Sequence, residues 1–311
     1  MRVIDRIGRD DVALVYIAEK EGGKLIEFAE SVQPPFPRDK KWVLTISTLF
    51  GCPVRCRFCD AGGYYQGRLS AEEIVFQIDY LINTRFLNGT VPVEKFKIQF
   101  ARTGEPSFNP CVLDVLERLP ELYQAPGMLL SLSTVAPHGT DNFFERLKEI
   151  KNRHYQNRFQ FQFSIHTTAE KQRDWLIPAR KWSFGKMAEY GKSFYNRGER
   201  KITLNFALAE GMPIDPDVLL QYFSPDVFLI KITPVNPTCQ ATKNGIISHI
   251  VPAKEDYEIV DALKGAGYQV ILSIGETEEN YIGSNCGQYI TSYRRVRKSL
   301  KGGYTYLLPK I

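Results

Sequence analysis

The chain has 311 residues, 43% of them hydrophobic and 24% charged, proportions typical of an ordinary globular protein. No apolar stretch approaches the ~20 residues that a membrane span needs, and the first residues lack a signal-peptide core, so we expect a cytoplasmic protein with no membrane partner. The formal net charge of +5 permits a polyanionic partner without requiring one. Three of the six cysteines lie within residues 52–59, which indicates metal ligands in a reducing compartment rather than a disulfide framework.

The first 40 residues predict a small antiparallel ribbon. Its strands are Val12–Ala18 and Lys24–Phe28, separated by the turn signal Glu21-Gly22-Gly23. We therefore predict an N-terminal β-ribbon extension over residues 1–40, ahead of the main fold.

From residue 41 onward, predicted strands alternate with helices, which is the pattern of a parallel sheet or barrel. The strands are Trp42–Ser47, Phe96–Arg102, Leu129–Val135, Phe159–Ile165, Lys201–Ala209, Val227–Thr233 and Gln269–Ile274. The helices run from a Ser70–Glu73 capping box to about Phe86, around Phe143–Asn152, from Ser183 to Asn196, and over Lys254–Ala266 and Tyr289–Leu300. The expected fold is α/β: a partial (β/α)6-type barrel with a closing helix over residues 41–311.

The loop after the first barrel strand carries the most specific motif in the chain. Cys52, Cys56 and Cys59 form C-x3-C-x2-C, with the aromatic Phe58 before the last cysteine. Three thiolates on one loop can each bind one iron of a 4Fe-4S cluster and leave the fourth iron open. A structural zinc site would need a fourth ligand close by, and the neighbouring sequence offers no further Cys or His. The motif predicts a radical S-adenosylmethionine (SAM) enzyme, in which SAM binds the open iron.

Further candidate residues lie at or just after the ends of other predicted strands. Gly104 and Glu105 follow the second strand, and Asn236 follows the sixth. Ser133 and Ser164 lie at the ends of the third and fourth strands. The carboxyl ends of barrel strands meet at one rim, so these residues are expected to converge with the cysteine loop. Glu105 can pair with the ammonium group of SAM. Ser133, Ser164 and Asn236 can bind the ribose hydroxyls. We predict these five as SAM-binding residues.

Two further residues are expected at the same rim. Cys286 follows the last predicted strand, and His166 follows the fourth. His166 is either a proton carrier or a structural histidine packed at the strand end.

These residues resemble the RlmN/Cfr family of radical SAM methyltransferases, which methylate an adenine ring carbon of ribosomal RNA. The resemblance begins at about Gly8 and rests on the cysteine loop with Thr103-Gly104-Glu105-Pro106, Asn109, Ser164-Ile165-His166, Pro178, Asn205, Pro234-Val235-Asn236-Pro237 and Cys286-Gly287-Gln288. The last element discriminates, because most radical SAM enzymes lack it. The resemblance implies that Cys286 is catalytic: one SAM methylates its thiolate, and a second provides the radical that activates the S-methyl group.

Two features depart from the family pattern. The family releases its product through a second cysteine seven residues before the first cluster cysteine, where this chain has Thr45. A hydroxyl cannot form that disulfide. The family's RNA-contacting N-terminal domain also has no counterpart ahead of the ribbon. Cys111 or Cys239, which both follow predicted strands, could replace the missing thiol, although packing of Cys111 and simple exposure of Cys239 are the alternatives.

Both departures concern parts associated with RNA. The preferred hypothesis is therefore methyl transfer through Cys286 to an sp2 carbon of a small molecule or nucleotide. An RNA adenine-carbon methyltransferase is the alternative, supported by the basic segment Arg294–Lys301. A non-methylating radical SAM enzyme and an iron–sulfur sensing protein are the remaining alternatives. The radical enzymes all need a reducing electron donor such as flavodoxin or ferredoxin.

Overall fold

The computed structural model describes residues 1–32, 34–86, 89–251, 256–275, 277–284 and 289–296. The strands are β1 (Arg2–Arg9), β2 (Ala13–Lys20), β3 (Lys24–Ser31), β4 (Lys41–Ile46), β5 (Leu49–Gly51), β6 (Tyr65–Arg68), β7 (Lys95–Phe100), β8 (Met128–Thr134), β9 (Phe159–Ser164), β10 (Ile202–Leu208), β11 (Phe228–Pro234) and β12 (Val270–Leu272). The helices are α1 (Ala71–Arg85), α2 (Cys111–Leu122), α3 (Asp141–His154), α4 (Glu170–Leu176), α5 (Phe184–Phe194), α6 (Pro216–Tyr222), α7 (Cys239–Lys243), α8 (Glu258–Gly265), α9 (Thr277–Ile282) and α10 (Tyr289–Val296).

One large sheet organises the molecule, in the strand order β1-β2-β3-β4-β7-β8-β9-β10-β11-β12. Its first four strands are antiparallel, whereas each neighbouring pair from β4 to β12 is parallel. Helices α1, α2, α3, α5, α6 and α8 lie between successive parallel strands along the chain. These six strand–helix units confirm the predicted α/β partial barrel with an N-terminal antiparallel ribbon.

The ribbon continues directly into the barrel. β3 pairs with β4, with Ala29 opposite Thr45, so ribbon and barrel share one sheet. The ribbon also contains a strand that was not predicted, β1, which pairs with β2. Within β1 only Ile7 is buried. A strand with so few buried positions does not need alternating apolar residues, and that alternation is the sequence pattern that predicts a strand. The division at residue 40 stays a prediction.

The predicted helices appear with shifted ends. Ser70 and Glu73 form the expected capping box of α1, and Ser183 caps α5 by accepting a hydrogen bond from the Lys186 N–H. The helix expected over Lys254–Ala266 is α8, whose first predicted residues lie partly outside the described ranges. The closing helix is described as α10, and residues 297–311 lie outside these ranges.

The barrel strands have two chemically different faces. Trp42, Leu44 and Ile46 of β4 are fully buried in the main apolar core, together with residues of α1. Their neighbours in register on β7 are equally apolar. The alternate positions point into the barrel, where Thr45 lies beside Gln99. The apolar side chains of these strands therefore pack outward against the surrounding helices, and the polar side chains face the interior of the barrel. Among the described helices, none has the length and apolar character needed to cross a membrane.

Candidate active site

The cysteine loop connects β5 and β6, which pair with each other in a separate two-stranded antiparallel sheet. Gly51 begins the loop with φ +83°, and a Cβ there would lie 1.6 Å from the Tyr64 carbonyl oxygen. Only glycine fits such a close approach in a left-handed conformation. Within the loop, the Cys52 N–H donates to the Ala61 carbonyl at 2.9 Å and the Cys59 N–H to the Cys56 carbonyl at 3.1 Å. Backbone hydrogen bonds within the loop therefore involve all three cysteines and fix their positions relative to one another.

Contacts from other elements hold the outside of this loop. The Arg57 N–H donates to the Leu176 carbonyl at the end of α4 (2.9 Å). The Thr238 hydroxyl, ahead of α7, donates to the Phe58 carbonyl (2.7 Å). The buried Asp60 carboxylate accepts the first backbone N–H groups of α7, from Cys239 at 3.1 Å and Gln240 at 2.8 Å. The loop is therefore fixed on two sides, as a preorganised ligand set requires.

A cavity of about 370 Å³ opens in front of the cysteine loop, at the carboxyl ends of the parallel strands. All eight predicted cluster and SAM residues that the structure describes line it: Cys52, Cys56, Cys59, Gly104, Glu105, Ser133, Ser164 and Asn236. Strands β7, β8, β9 and β11 and their following loops bring these residues together. Cys286 lies outside the described residues. These residues therefore converge at one rim as predicted. Their roles in binding a cluster and SAM are proposals.

The thiols lie in surroundings that disfavour a lone charge. Burial raises the pKa of Cys52 to about 11. Burial, followed by the charges of Cys59, Cys52 and Glu105, raises the pKa of Cys56 well above its usual range. Three thiolates here need a positive group to compensate them, and a 4Fe-4S cluster is such a group.

The number of ligands also bears on the kind of metal centre. Three cysteines line the cavity. A closed structural zinc site needs four ligands, whereas a cubane with three protein thiolates keeps one iron open for a further ligand.

Glu105 is buried and tightly held. Its Oε1 accepts from the Ser107 N–H (3.1 Å), the Ser107 hydroxyl (2.7 Å) and the Thr134 hydroxyl (2.6 Å). Its Oε2 accepts from the Val135 N–H (2.9 Å). Burial raises the pKa of Glu105, and these hydrogen bonds oppose the rise. Oε2 accepts one of these four hydrogen bonds and Oε1 accepts three, so Oε2 has more remaining capacity for a cationic ligand. This arrangement suits the predicted pairing with an ammonium group.

Gly104, which precedes Glu105, packs closely against Leu49 of β5. It has φ +102°, and a Cβ would lie 2.5 Å from the Cβ of Leu49. We expect Gly104→Ala to reduce the free energy of unfolding by about 2–4 kcal/mol, because conformational strain and overpacking add. Urea unfolding followed by circular dichroism measures the loss. Gly67→Ala is the matched control, because Gly67 has φ +111° with nothing within 4 Å. Equal losses in both variants would contradict the importance of the Leu49 contact.

Ser133 and His166 both form hydrogen bonds to other groups of the protein. The Ser133 hydroxyl accepts a hydrogen bond from Gln162 Nε2 (3.0 Å), while its neighbour Thr134 bonds Glu105. His166 is buried with φ +66°, and its Nδ1 accepts from the Ala207 N–H (2.9 Å). Burial and the nearby Arg173 lower the pKa of His166 to about 3. His166 is therefore neutral, with its proton on Nε2, which favours the structural interpretation over a proton carrier.

Several residues that line the cavity were not among the predicted site residues. They are Gln99, Thr134, Gln162, Asn205, Lys231 and Thr233, all on barrel strands; of these only Asn205 belonged to the family motifs. The signal was present in part, because β9 alternates strictly as Phe-Gln-Phe-Gln-Phe-Ser, with glutamines at inward positions. Polar residues at every second position of a strand share one face, and Gln162 on this face lines the cavity.

The interior below the cavity is basic. Burial, followed by the charges of Lys231, Lys95, Lys41 and Arg200, lowers the pKa of Lys97 to about 7. Between about pH 7 and 10 the unfolded chain therefore binds more protons at this residue than the folded chain. Stability consequently rises with pH across this window.

We expect Lys97→Met to stabilise the protein by on the order of 1–2 kcal/mol at pH 6 and by less at pH 9. Urea unfolding at both pH values checks the prediction, with Lys192→Met on the exposed surface of α5 as the control. Identical pH dependence in wild type and Lys97→Met would contradict it.

Neither spare cysteine reaches the cavity. Cys111 begins α2, and its partly buried side chain packs against the main core. Cys239 begins α7 and is exposed. Among the described cysteines, only the three of the loop line the cavity. The geometry thus favours the packing and exposure alternatives for these two residues.

A partial barrel whose rim joins a three-cysteine loop to a polar cavity is the arrangement that the cysteine motif predicted for a radical SAM enzyme. A solved radical SAM methyltransferase from Sphaerobacter thermophilus shares the fold with a TM-score of 0.69, covering 92% of this chain and 80% of that chain at 18% identity. No protein-family model matches the chain.

Curated relatives point to one family. A probable dual-specificity RNA methyltransferase RlmN of Prochlorococcus marinus (strain NATL1A) is 27% identical over 74% of this chain and 66% of its own length. A counterpart in Thermus thermophilus is 25% identical over 83% of this chain and 70% of its own length. The match spans less than two thirds of several of these relatives, 62% and 58% in two further cases. The chain is similar to proteins named RlmN over most of its length, which confirms the predicted resemblance to the RlmN/Cfr family. That resemblance implies a 4Fe-4S cluster and SAM.

Proposed function

We propose that this chain is a radical SAM methyltransferase that acts on RNA. The observation that carries the proposal is the single cavity in which the three loop cysteines meet the predicted SAM residues. Cys52, Cys56 and Cys59 would hold the cluster. Glu105 would bind the ammonium group of SAM, and Ser133, Ser164 and Asn236 would bind its ribose. An iron–sulfur sensor would not need this set of polar groups.

A cluster held by Cys52, Cys56 and Cys59, with SAM bound beside it, would supply the one-electron chemistry of the reaction. The chain's own residues position and enclose that chemistry. Glu105 is held by Ser107, Thr134 and Val135, so it presents a fixed anionic group rather than a mobile one. The buried Val54 and Val135 contribute apolar wall to the cavity. Such a wall excludes water from a reactive centre.

RNA is the substrate class that the comparisons favour, because the relatives carry the name RNA methyltransferase. The small-molecule or nucleotide substrate that we preferred from the sequence therefore becomes the second hypothesis. The net charge of +5 and the inward-facing Lys231 on the cavity wall are compatible with a polyanionic substrate.

Cys286 remains the proposed methyl carrier, on the resemblance alone. Product release is where this chain differs, because Thr45 occupies the position of the second family cysteine. Thr45 lies beside Gln99 in register, and Gln99 lines the cavity. A thiol at position 45 would therefore point toward the site, and we propose that the chain releases its product without a cysteine there.

An RNA methylation assay tests the proposal. The reconstituted protein is incubated anaerobically with reductant, methyl-tritiated SAM and transcripts of ribosomal RNA segments. We expect label in RNA with the wild type and with Cys111→Ala, and background label with Cys286→Ala. RNA binding should weaken steeply with added salt. Deoxyadenosine formation without labelled RNA would overturn the RNA assignment and support a smaller substrate.

A further inference from the structure

A buried ion pair joins the ribbon to the barrel rim. Glu27 lies on β3, and Arg102 follows the end of β7. The Arg102 Nη2 and Glu27 Oε1 atoms are 2.8 Å apart, and both side chains are 0% exposed. Burial raises the pKa of Glu27, while the Arg102 charge opposes the rise. Two charges removed completely from water are expensive unless each finds further partners.

Those partners come from the chain on both sides of residues 285–288. Arg102 Nη1 donates to the Gly283 carbonyl at 2.9 Å and to the Ser284 carbonyl. Glu27 Oε2 accepts the Ile290 N–H at 3.2 Å, and Glu27 also accepts from the backbone N–H of Tyr289. The arginine therefore holds the chain just before this segment, and the glutamate holds it just after.

Apolar packing reinforces the same connection. Ile282, Tyr289 and Ile290 are buried in a second apolar cluster, whose other members come mainly from the ribbon strands, such as Val15 and Ile17. The Tyr289 hydroxyl donates to the Ile282 carbonyl, across the same segment. The ribbon thus forms a platform to which both flanks of residues 285–288 are attached.

We infer that Glu27 and Arg102 are positioning residues for the methyl-carrying cysteine. They fix the entry and exit of the segment that contains Cys286, so the reactivity of its thiol toward SAM depends on the ion pair. This inference rests on the proposed function for the role of Cys286, but the attachment of the flanks does not. A pair of buried charges stabilises a fold poorly compared with apolar residues of similar size. Its value here is the geometry that it imposes on two backbone segments.

The test compares three variants with the wild type. Glu27→Gln keeps an acceptor for the backbone amides and removes the charge, while Arg102→Lys keeps the charge and loses the planar fork. The double variant Glu27→Leu with Arg102→Met removes both charges, so neither is left buried alone, and keeps the fold measurable. Lys151→Met is the matched control, because Lys151 at the end of α3 forms another largely buried pair, with Glu199 at 2.6 Å.

Two readouts separate positioning from stability. Peptide mass spectrometry gives the methylated fraction of Cys286 in the reconstituted protein with SAM, and hydrogen exchange gives the protection of residues 282–290. We expect the double variant to methylate Cys286 about 10- to 100-fold more slowly and to exchange the Tyr289 and Ile290 amides faster, at unchanged iron content. Arg102→Lys should recover part of the rate. Lys151→Met should lower the melting temperature and leave both readouts unchanged.

Each outcome decides one claim. Wild-type methylation and amide protection in the folded double variant would overturn the inference. If the wild type itself is never methylated at Cys286, the proposed function fails at that residue. Amide exchange then still decides whether the ion pair fixes the flanks, so the two failures remain distinct.

Discussion

Cys56→Ser will abolish iron binding and SAM cleavage together. The three loop cysteines share one cavity, and a cubane with three protein ligands has no substitute for any of them. A serine hydroxyl remains protonated where even the Cys56 thiol has a raised pKa and is a poor ligand for iron–sulfur chemistry. Iron analysis after anaerobic reconstitution should fall to background, and so should deoxyadenosine formation with SAM and reductant.

The control for this loss is Cys111→Ser. Cys111 is partly buried like the loop cysteines, but it lies at the start of α2 and away from the cavity. Its iron content and deoxyadenosine yield should match the wild type. A normal iron content in Cys56→Ser would contradict the assignment of the cluster to this loop.

The second large effect is on stability and concerns Glu30, which is 1% exposed at the junction of ribbon and barrel. Its carboxylate accepts from the Tyr16 hydroxyl (2.6 Å) and from Trp42 Nε1 (2.7 Å) and pairs with Arg85 (2.6 Å). We expect Glu30→Ala to reduce the free energy of unfolding by about 3–5 kcal/mol, because it leaves buried donors and a partly buried cation without their acceptor. Urea unfolding at pH 7 measures the change.

A surface ion pair provides the comparison for Glu30. Glu94 pairs with Lys40, and both side chains are at least half exposed. Glu94→Ala should change the free energy of unfolding by no more than about 1 kcal/mol. A loss below about 1 kcal/mol in Glu30→Ala would show that Tyr16, Trp42 and Arg85 find other acceptors or water.

The sequence predicted the features that depend on local pattern. C-x3-C-x2-C is a local motif, and the strands that carry Gly104, Ser133 and Ser164 are marked by apolar runs bounded by turns. Because parallel strands point their carboxyl ends the same way, the convergence of these motifs followed from the fold class alone. The structure places all eight described members around one cavity.

What the sequence did not predict depends on contacts between distant residues. Thr134 rather than its neighbour Ser133 bonds Glu105, and one residue of register decides which of two adjacent hydroxyls does so. The Glu27–Arg102 pair joins residues from two separate elements. No spacing rule connects such positions, so only the folded structure reveals them. Strand β1 escaped prediction for a different reason, because its side chains are mostly exposed.

The most direct test of the central claim is SAM cleavage by the reconstituted wild-type protein under anaerobic conditions, with Cys286 mapped by peptide mass spectrometry in the same samples. Our account predicts deoxyadenosine, S-adenosylhomocysteine and a methyl group on Cys286. Cys56→Ser should give none of the three. Deoxyadenosine without S-adenosylhomocysteine and with unmodified Cys286 would contradict methyl transfer through this residue and assign the cavity to another radical reaction. No deoxyadenosine from iron-loaded protein would contradict the radical SAM assignment itself.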